Sequence, residues 1–422
     1  MTENDINKDY SCMDDYDPNS ILPDEALRRI FDTISAITEA ESVPIREALS
    51  RVLASNIISE INVPTGCNSA MDGYAINAED LPSEGKKTLK LIGASFAGKP
   101  LSKILKKGEC VRIMTGAIMP EGSDTVVMQE IVNVQGDQIE IGIDTKPRSN
   151  VRQAGEDLAI GDLVLKKGIK LTPADIGLLA SLGLAEVNVT RKLKVAFFST
   201  GDELRSVGEK LDNGAIYDSN RYTLYGMLTR LGADIIDMGV VKDDRELMDK
   251  AFLEASSNAD VLITSGGVSV GEADYVKETL LKRGQVAFWK VAMKPGRPLT
   301  FGKLDSTYFF GLPGNPVSVM VTFYQFVQPA LKKMLGESST MPVMMKVPCT
   351  SKLKKRPGRV EYQRGILEED ETGRMTVRKT GAQGSGILRS MGDANCFIVL
   401  TLENNGVKPG DLVDVQPFHG IV

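Results

Sequence analysis

The stretch 260–275 constrains the fold more than any other part of the chain, and it reads D-V-L-I-T-S-G-G-V-S-V-G-E-A-D-Y. Its apolar run at 261–263 is too short for a helix and is typical of a buried parallel strand. Gly266 and Gly267 then permit positive φ and leave bare N–H groups that suit an anion. An ordinary strand-to-helix turn is the alternative interpretation, because a glycine-rich loop alone is a weak signal.

Acidic residues follow three of the predicted strands. After Gly271 the apolar residues recur at helical spacing, which places Asp274 in the first turn of a helix. Asp202 and Asp243 also follow strands, so a doubly wound sheet brings the three acids toward its ligand-binding carboxyl edge. Two carboxylates ~4 Å apart repel by about 4 kcal/mol at an effective dielectric near 20, and a bound cation relieves this. Three solvated helix caps are the alternative.

Composition excludes several classes of protein. A chain of 422 residues with 42% hydrophobic and 25% charged residues is an ordinary soluble protein of several domains. A net charge of -6 without a large basic tract argues against nucleic acid as the partner. Five cysteines without a C-x-x-C pair, and a single histidine, His419, argue against zinc and fit a reducing cytoplasm. The polar N-terminus and the short apolar runs predict neither a signal peptide nor a membrane span.

Hydrophobic periodicity predicts an α/β multidomain chain. Apolar stripes at 26–37 and 45–53 predict two helices, and Thr172-Pro173 begins another. From Lys194 onward strands alternate with helices, which predicts a parallel sheet covered on both faces. The expected segments are a disordered acidic tail (1–20), a discontinuous helical domain (21–60 and 150–190), an inserted β-rich domain (61–149), a central doubly wound α/β domain (191–336) and a C-terminal β-barrel domain (337–422).

The sequence G-A-S-F-A-G-K-P at 93–100 matches the spacing of a phosphate-binding P-loop as far as Lys99. Pro100 stands where a P-loop has the Ser or Thr that holds Mg²⁺, and it disfavours the helical conformation for Lys99. We therefore predict a turn of the β-rich domain at this position.

Three other motifs each allow two interpretations. Thr115 ends a predicted strand and is either an ordinary turn residue or an anion contact. Arg152 and Asp157 flank a turn, where a weak surface ion pair is the plain interpretation. The basic run 352–359 is either an edge strand guarded by lysines or a positive wall that faces an anionic ligand.

Taken together, the motifs resemble the molybdopterin molybdenumtransferase family, which includes the bacterial MoeA proteins and the E domain of gephyrin. They are M-D-G-Y-A, T-G-A-I-M-P, G-E-D, S-T-G-D-E-L, D-S-N, T-S-G-G-V-S-V-G-E-A-D-Y, K-P-G-R-P and G-L-P-G-N-P. The resemblance extends from about residue 23 to residue 422. It implies a central domain of the molybdopterin-binding type and a Mg²⁺-dependent enzyme. This enzyme converts adenylylated molybdopterin and molybdate into molybdenum cofactor and releases AMP.

The same resemblance implies the site residues. The implied catalytic residues are Asp72, Thr115, Glu203, Asp243, Asp274, Lys290 and Lys294, and Asp243, Asp274 and Glu203 would hold Mg²⁺. The implied ligand-binding residues are Gly266, Gly267, Ser269, Gly271, Arg152, Asp157, Arg297, Pro313, Asn315 and Pro316. Lysine and arginine would offset the charge of molybdate and of the phosphates, while Mg²⁺ bridges carboxylates to phosphate oxygens.

The resemblance also implies a homodimer in which the discontinuous helical domain mediates dimerisation. The inserted domain would lie over the partner's central domain, so that Asp72 and Thr115 of one chain share a cleft with Asp243 and Asp274 of the other. The adenylyltransferase of the same pathway and molybdoenzyme acceptors are further expected partners. Two alternatives stay open, an ATP-dependent molybdopterin adenylyltransferase and a non-enzymatic dimeric scaffold.

Overall fold

The structure, a computed structural model, describes residues 20–267 and 275–418. The described residues up to Glu41, together with those from Thr190 onward, form one compact unit, and Ser42–Val189 form another. Four residues singled out in the sequence lie outside the described ranges: Ser269, Gly271, Asp274 and His419. The predicted acidic tail also lies outside them, apart from Ser20.

The first helix, α1 (Pro23–Thr33), begins with proline in its first turn, where the missing N–H has no helical partner to lose. Ala26, Ile30 and the following Ile34 are buried in the core of the central sheet. The first predicted helical stripe is therefore confirmed, and it belongs to the unit that contains this sheet.

The second helix predicted in this region, over 45–53, is wrong. Only the turn Ile45–Glu47 is helical, and it is a 3₁₀-helix. Ser50 has φ 64°, which ends any right-handed helix. Val52 and Leu53 form antiparallel bridges to later parts of the chain, so their backbone groups are satisfied across the fold rather than along a helix.

The unit Ser42–Val189 is built around a six-stranded sheet in the order β7-β4-β6-β5-β9-β8, in which only β5 and β6 are parallel. The helix α2 (Pro173–Ser181) follows it, with a capping box between Thr172 and Asp175. The strands of this part of the chain are β1 (Ala40–Pro44), β2 (Ile57–Ile58), β3 (Asn68–Ser69), β4 (Gly73–Ile76), β5 (Lys87–Ser95), β6 (Glu109–Ile113), β7 (Thr125–Met128), β8 (Asn133–Gln135), β9 (Gln138–Ile141), β10 (Val151–Arg152), β11 (Leu163–Leu165) and β12 (Glu186–Thr190).

The P-loop look-alike is a tight turn, as predicted. Its first glycine lies within β5, and Phe96 and Lys99 exchange backbone hydrogen bonds of 3.2 and 2.9 Å. Gly98 takes φ 74° between them. No helix follows Lys99, so a phosphate-binding loop cannot form there.

The central sheet has the strand order β16-β13-β17-β21-β20-β18. Its first four strands are parallel, but β20 and β18 pair antiparallel, so the wholly parallel sheet predicted from the sequence is wrong at this edge. The elements are β13 (Lys194–Thr200), β14 (Leu204–Arg205), β15 (Ile216–Tyr217), α3 (Ser219–Leu231), β16 (Asp234–Val241), α4 (Arg245–Asn258), β17 (Val261–Ser265), α5 (Tyr275–Arg283), β18 (Gly284–Lys290), β19 (Met293–Lys294), β20 (Pro298–Leu304), β21 (Thr307–Leu312), α6 (Pro316–Thr322), a π-helix (Phe323–Val327) and α7 (Gln328–Met334).

Both faces of this sheet are covered by helices. Along β13, Val195 and Phe197 pack toward α1, α3, α6 and α7, whereas Ala196 and Phe198 pack toward α4 and α5. This alternation explains the continuous apolar sequence of the strand. No helix within the described ranges is both long enough and apolar enough to cross a membrane.

The C-terminal strands form a sheet that closes on itself. They are β22 (Met345–Pro348), β23 (Val360–Glu369), β24 (Met375–Lys379), β25 (Cys396–Leu400) and β26 (Leu412–Pro417), with the short helix α8 (Arg389–Gly392). The order is β24-β23-β25-β26-β22, and β19 adds to the side of β23. A parallel bridge from Cys349 to Val377 joins the two ends, as expected of a barrel. The basic run 352–359 is a connection between β22 and β23 and not an edge strand.

Candidate functional site

The glycine loop after β17 lies against the end of β13. Gly266 and Gly267 have φ of 92° and 65°. A Cβ on Gly266 would lie 2.5 Å from the Thr200 carbonyl oxygen, and one on Gly267 would lie 2.7 Å from Thr200 Cγ2. The positive φ predicted for both glycines is therefore confirmed, and neither position accepts a side chain.

Two of the predicted acids lie beside this same strand end. The Thr200 hydroxyl donates a hydrogen bond to Asp243 Oδ1. The Glu203 carboxylate covers Gly201, where an added Cβ would lie 2.6 Å from Glu203 Oε2. Both acids are exposed, and their hard oxygen atoms are donors that Mg²⁺ prefers.

The predicted metal set also needs Asp274, which is outside the described residues. Within 20–267 and 275–418, no three acidic, histidine or cysteine side chains converge into a group that would hold a metal ion. The complete three-acid site therefore stays a prediction.

The loop after β21 borders the glycine loop. Gly266 N–H donates to the Leu312 carbonyl at 3.1 Å. Pro313 is buried, and Pro316 begins α6. Asn315 takes the N-cap position of that helix, but its exposed side chain makes no capping hydrogen bond. Its amide is therefore not committed to holding the helix.

In the other unit, Asp72 and Thr115 meet although 43 residues separate them. The Thr115 N–H and hydroxyl both donate to Asp72 Oδ1 at 2.8 Å. These two bonds, with the Arg112 guanidinium nearby, hold the pKa of Asp72 below its ordinary value. Asp72 therefore presents an ionised carboxylate at the surface.

Arg152 and Asp157 do not form a comparable pair. Both are exposed, and they flank the turn at Gly155, whose φ is 72°. The Asp157 N–H donates to the Val63 carbonyl at 3.0 Å. In the described part of the chain no ion pair joins the two side chains, so the structure holds them only as neighbours on one turn.

A strongly basic cavity of about 610 Å³ lies between the K-P-G-R-P segment and the C-terminal domain. Lys294, Arg297 and the basic run 352–359 contribute to its wall, and eight Lys and Arg side chains line it against two acids. Lys294 Nζ lies 3.9 Å from one of these acids, Glu361. Lys290, which ends β18, does not line this cavity. The structure thus favours the positive wall over the guarded edge strand for the basic run.

One lysine fixes the shape of that wall. Lys355 is only 7% exposed, and its ammonium donates to the carbonyls of Arg356, Leu402 and Asn404 at 3.1, 3.2 and 3.0 Å. Burial lowers the pKa of Lys355. Because its protons are engaged by carbonyls, Lys355 holds the basic run in place while the neighbouring cations face the cavity.

The sequence analysis missed Arg364, which lines a second cavity of about 490 Å³. Arg364 is 1% exposed, and it donates to Ser390 Oγ and the Gly384 carbonyl, both at 3.1 Å. Burial lowers its pKa to about 10, and no carboxylate among the described residues contacts it. The available signal was its place on the same strand face as Tyr362, which is the buried face.

Family models match nearly the whole chain. "MoeA N-terminal region (domain I and II)" matches residues 21–183, "Probable molybdopterin binding domain" matches 196–333, and "MoeA C-terminal region (domain IV)" matches 346–418. A molybdopterin molybdenumtransferase of Haemophilus influenzae is 46% identical over 94% of this chain and 99% of its own length. The chain belongs to the molybdopterin molybdenumtransferase family. The resemblance seen in the sequence is thereby confirmed.

Other members of the family agree in sequence and in fold. A molybdopterin molybdenumtransferase of Nostoc is 36% identical over 88% of this chain and 87% of its own length. The crystal structure of the molybdopterin biosynthesis moeA protein from Pyrococcus horikoshii OT3 superposes with a TM-score of 0.83 at 31% identity. It covers 94% of this chain and 100% of that one. The predicted multidomain α/β fold, with a molybdopterin-binding type domain and a C-terminal β domain, is confirmed.

Proposed function

We propose that this protein is a molybdopterin molybdenumtransferase that uses molybdate and adenylylated molybdopterin, forms molybdenum cofactor and releases AMP in a Mg²⁺-dependent reaction. Membership of the family gives the reaction class. The structural observation that supports it best is the basic cavity beside Lys294 and Arg297.

The charge of this cavity suits the proposed substrates. Molybdate is a dianion, and adenylylated molybdopterin carries phosphate groups. The cavity volume of about 610 Å³ lies within the range of roughly 300–1,000 Å³ that small-ligand sites occupy. A cation ~4 Å from an anionic oxygen contributes about 4 kcal/mol at an effective dielectric near 20. With eight cations against two acids, the cavity favours anionic ligands over neutral ones.

The second cavity offers a place for the oxyanion. A buried guanidinium without a counter-charge is unfavourable, and Arg364 has no carboxylate contact in the described structure. Lys294 lines both cavities, so an anion near Arg364 would lie next to the ligand of the larger cavity. We assign Arg364 and Lys294 to binding molybdate in this second cavity.

Asp243 and Glu203 are the described residues suited to holding Mg²⁺. The Thr200 hydroxyl engages one Asp243 oxygen and leaves the other for a ligand. When bound, Mg²⁺ would neutralise negative charge on the phosphate oxygens. The bare amides of Gly266 and Gly267 would contribute hydrogen bonds to the same groups.

Asp72 and Thr115 would complete the cleft from the partner chain of a homodimer. The two hydrogen bonds from Thr115 keep the Asp72 carboxylate oriented and ionised. This arrangement follows from the family resemblance and from the symmetry of a two-fold dimer.

The test is to incubate the purified protein with adenylylated molybdopterin, Mg²⁺ and molybdate, without ATP, and to follow AMP release. We expect release that depends on both molybdate and Mg²⁺. Lys294→Met should raise the KM for adenylylated molybdopterin by about tenfold, which corresponds to about 1.4 kcal/mol. The matched control is Lys346→Met, because Lys346 is exposed, pairs with Asp414 at 3.0 Å and lines neither cavity. Molybdate-independent release, or none without ATP, would contradict the proposal.

A further inference from the structure

The D-S-N motif at 218–220 has no role in the function proposed above, although it lies beside the site. Asp218 is the N-cap of α3, and its Oδ1 accepts a hydrogen bond from the Arg221 N–H at 3.0 Å. Asn220 lies one turn further along, 9% exposed, with its side chain directed into the fold. The motif therefore places one capping carboxylate and one buried amide at the carboxyl edge of the sheet.

The Asn220 amide connects two loops that the sequence predicted to bind ligand. Its Nδ2 group donates to Ser265 Oγ at 2.9 Å and to the Gly314 carbonyl at 2.7 Å. Ser265 is the last residue of β17, immediately before Gly266. Gly314 lies in the loop after β21. One side chain thus uses both of its N–H donors to bridge the ends of two adjacent parallel strands.

The bridge lies where the two loops come closest. A Cβ added to Gly314 would lie 3.9 Å from Gly266 Cα, so the loop backbones are in near contact. The Gly266 N–H donates to the Leu312 carbonyl at 3.1 Å, which gives a second connection. The Asn220 bridge and this backbone bond together set the separation of the loops.

The other oxygen of the amide shows that Asn220 is not the most stable choice for the fold. Asn220 Oδ1 is buried and has no hydrogen-bond partner, and the same is true of Asp218 Oδ2. Unpaired buried oxygens destabilise a fold and are concentrated at functional sites. The stabilising bonds of Asn220 are therefore those it donates to the two loops.

We propose that Asn220 is a positioning residue, which holds the loops at 266–267 and 313–316 at the separation needed to bind the pterin nucleotide. This inference rests on the proposed function, because it takes these loops to bind adenylylated molybdopterin. Asn220 acts through Ser265 and Gly314 and need not touch the ligand itself.

The test uses Asn220→Asp and Asn220→Leu. Aspartate has nearly the same shape, but it places an oxygen against the Gly314 carbonyl and so replaces a hydrogen bond by repulsion. We expect Asn220→Asp to raise the KM for adenylylated molybdopterin by about 10- to 100-fold, because displaced binding groups weaken catalysis strongly. Asn220→Leu should raise it less. The control is Asn258→Asp, which introduces the same charge at an exposed residue at the opposite end of β17.

A second measurement does not depend on activity. Hydrogen–deuterium exchange of the peptides that contain Gly266 and 312–316 should become faster in both Asn220 variants and stay unchanged in Asn258→Asp. Unchanged exchange would overturn the positioning role, and faster exchange with an unchanged KM would overturn its link to ligand binding. If the wild-type protein releases no AMP, the proposed function fails, whereas faster loop exchange in the variants would still support the bridge.

Discussion

Thr115 donates its backbone N–H and its hydroxyl to the same oxygen of Asp72, each at 2.8 Å. The backbone bond is the larger cause of the lowered pKa of Asp72, and the hydroxyl bond and the Arg112 charge add to it. A lowered folded-state pKa keeps the carboxylate ionised, so the favourable interaction is present above the unfolded pKa. It is lost as the pH falls through the folded pKa.

Thr115→Val should therefore raise the pKa of Asp72 toward its ordinary value, because valine removes the hydroxyl and keeps the N–H. The acid limb of the pH profile for AMP release should shift to higher pH. An NMR titration of the Asp72 carboxyl carbon measures the shift directly. Thr88→Val, at an exposed position of β5 in the same sheet, is the control. An unaltered Asp72 pKa would show that the hydroxyl bond does not matter.

Adjacent acids at the end of β16 should behave differently. Asp243 accepts a hydrogen bond from Thr200 at the sheet edge, whereas Asp244 caps α4 by accepting from the Glu246 and Leu247 N–H groups at 3.0 Å. Asp243→Ala should lower Mg²⁺-dependent AMP release by about 100-fold or more, by analogy with the loss of other groups that stabilise charge. Its thermal stability should be unchanged, because the side chain is exposed.

Asp244→Ala should keep the activity and lower the free energy of unfolding by about 1 kcal/mol, the usual effect of losing an N-cap. Urea unfolding and the AMP assay on both variants separate the two effects. If both variants lose activity equally, the assignment of Asp243 to the site loses its support.

Arg364→Met should weaken the response to molybdate. We expect the molybdate concentration for half-maximal AMP release to rise at least about tenfold, equivalent to about 1.4 kcal/mol. Molybdate should raise the melting temperature of the wild-type protein but not of the variant, since a ligand stabilises only the state that binds it. Arg378→Met is the control, because Arg378 is exposed and pairs with Glu368 at 2.7 Å. An equal molybdate response in both proteins would exclude Arg364 from the anion site.

Mixed dimers test whether the cleft is shared between chains. Asp72→Ala and Asp243→Ala homodimers should each be inactive. In a mixed dimer one cleft carries both defects and the other is complete, so AMP release should return to about half of the wild-type value, as two-fold symmetry requires. Mass spectrometry confirms subunit exchange. Confirmed mixed dimers without recovered activity would contradict the shared cleft.

Lys99→Ala should leave the KM for adenylylated molybdopterin unchanged. Lys99 is exposed in a turn that it closes with Phe96 through backbone hydrogen bonds. A true P-loop lysine contacts phosphate directly, so its loss would weaken binding strongly. A large increase in KM would show that this turn takes part in ligand binding.

Features with a local physical cause were predictable from the sequence. The two glycines after β17 were expected at positive φ, because only glycine reaches that region without strain. The α2 start was expected, because Thr172 and proline form a recognisable helix N-terminus.

Features that depend on contacts distant in the chain were predicted less well. The stripe at 45–53 has helical spacing, yet Val52 and Leu53 form bridges to later residues, and no local rule shows this. Asp72 and Thr115 were associated only through the family resemblance, because 43 residues separate them. Arg364 was missed because its burial is decided by packing on the inner face of β23.

The closure of the C-terminal sheet bears on the chemistry of the basic run. A sheet with an open edge invites another chain to pair with it, and lysines on that edge are a common defence against aggregation. Here the bridge from Cys349 to Val377 leaves β22 and β24 joined at this point. The lysines at 352–359 are therefore released from protecting an edge, and their charge can be selected for recognising ligands.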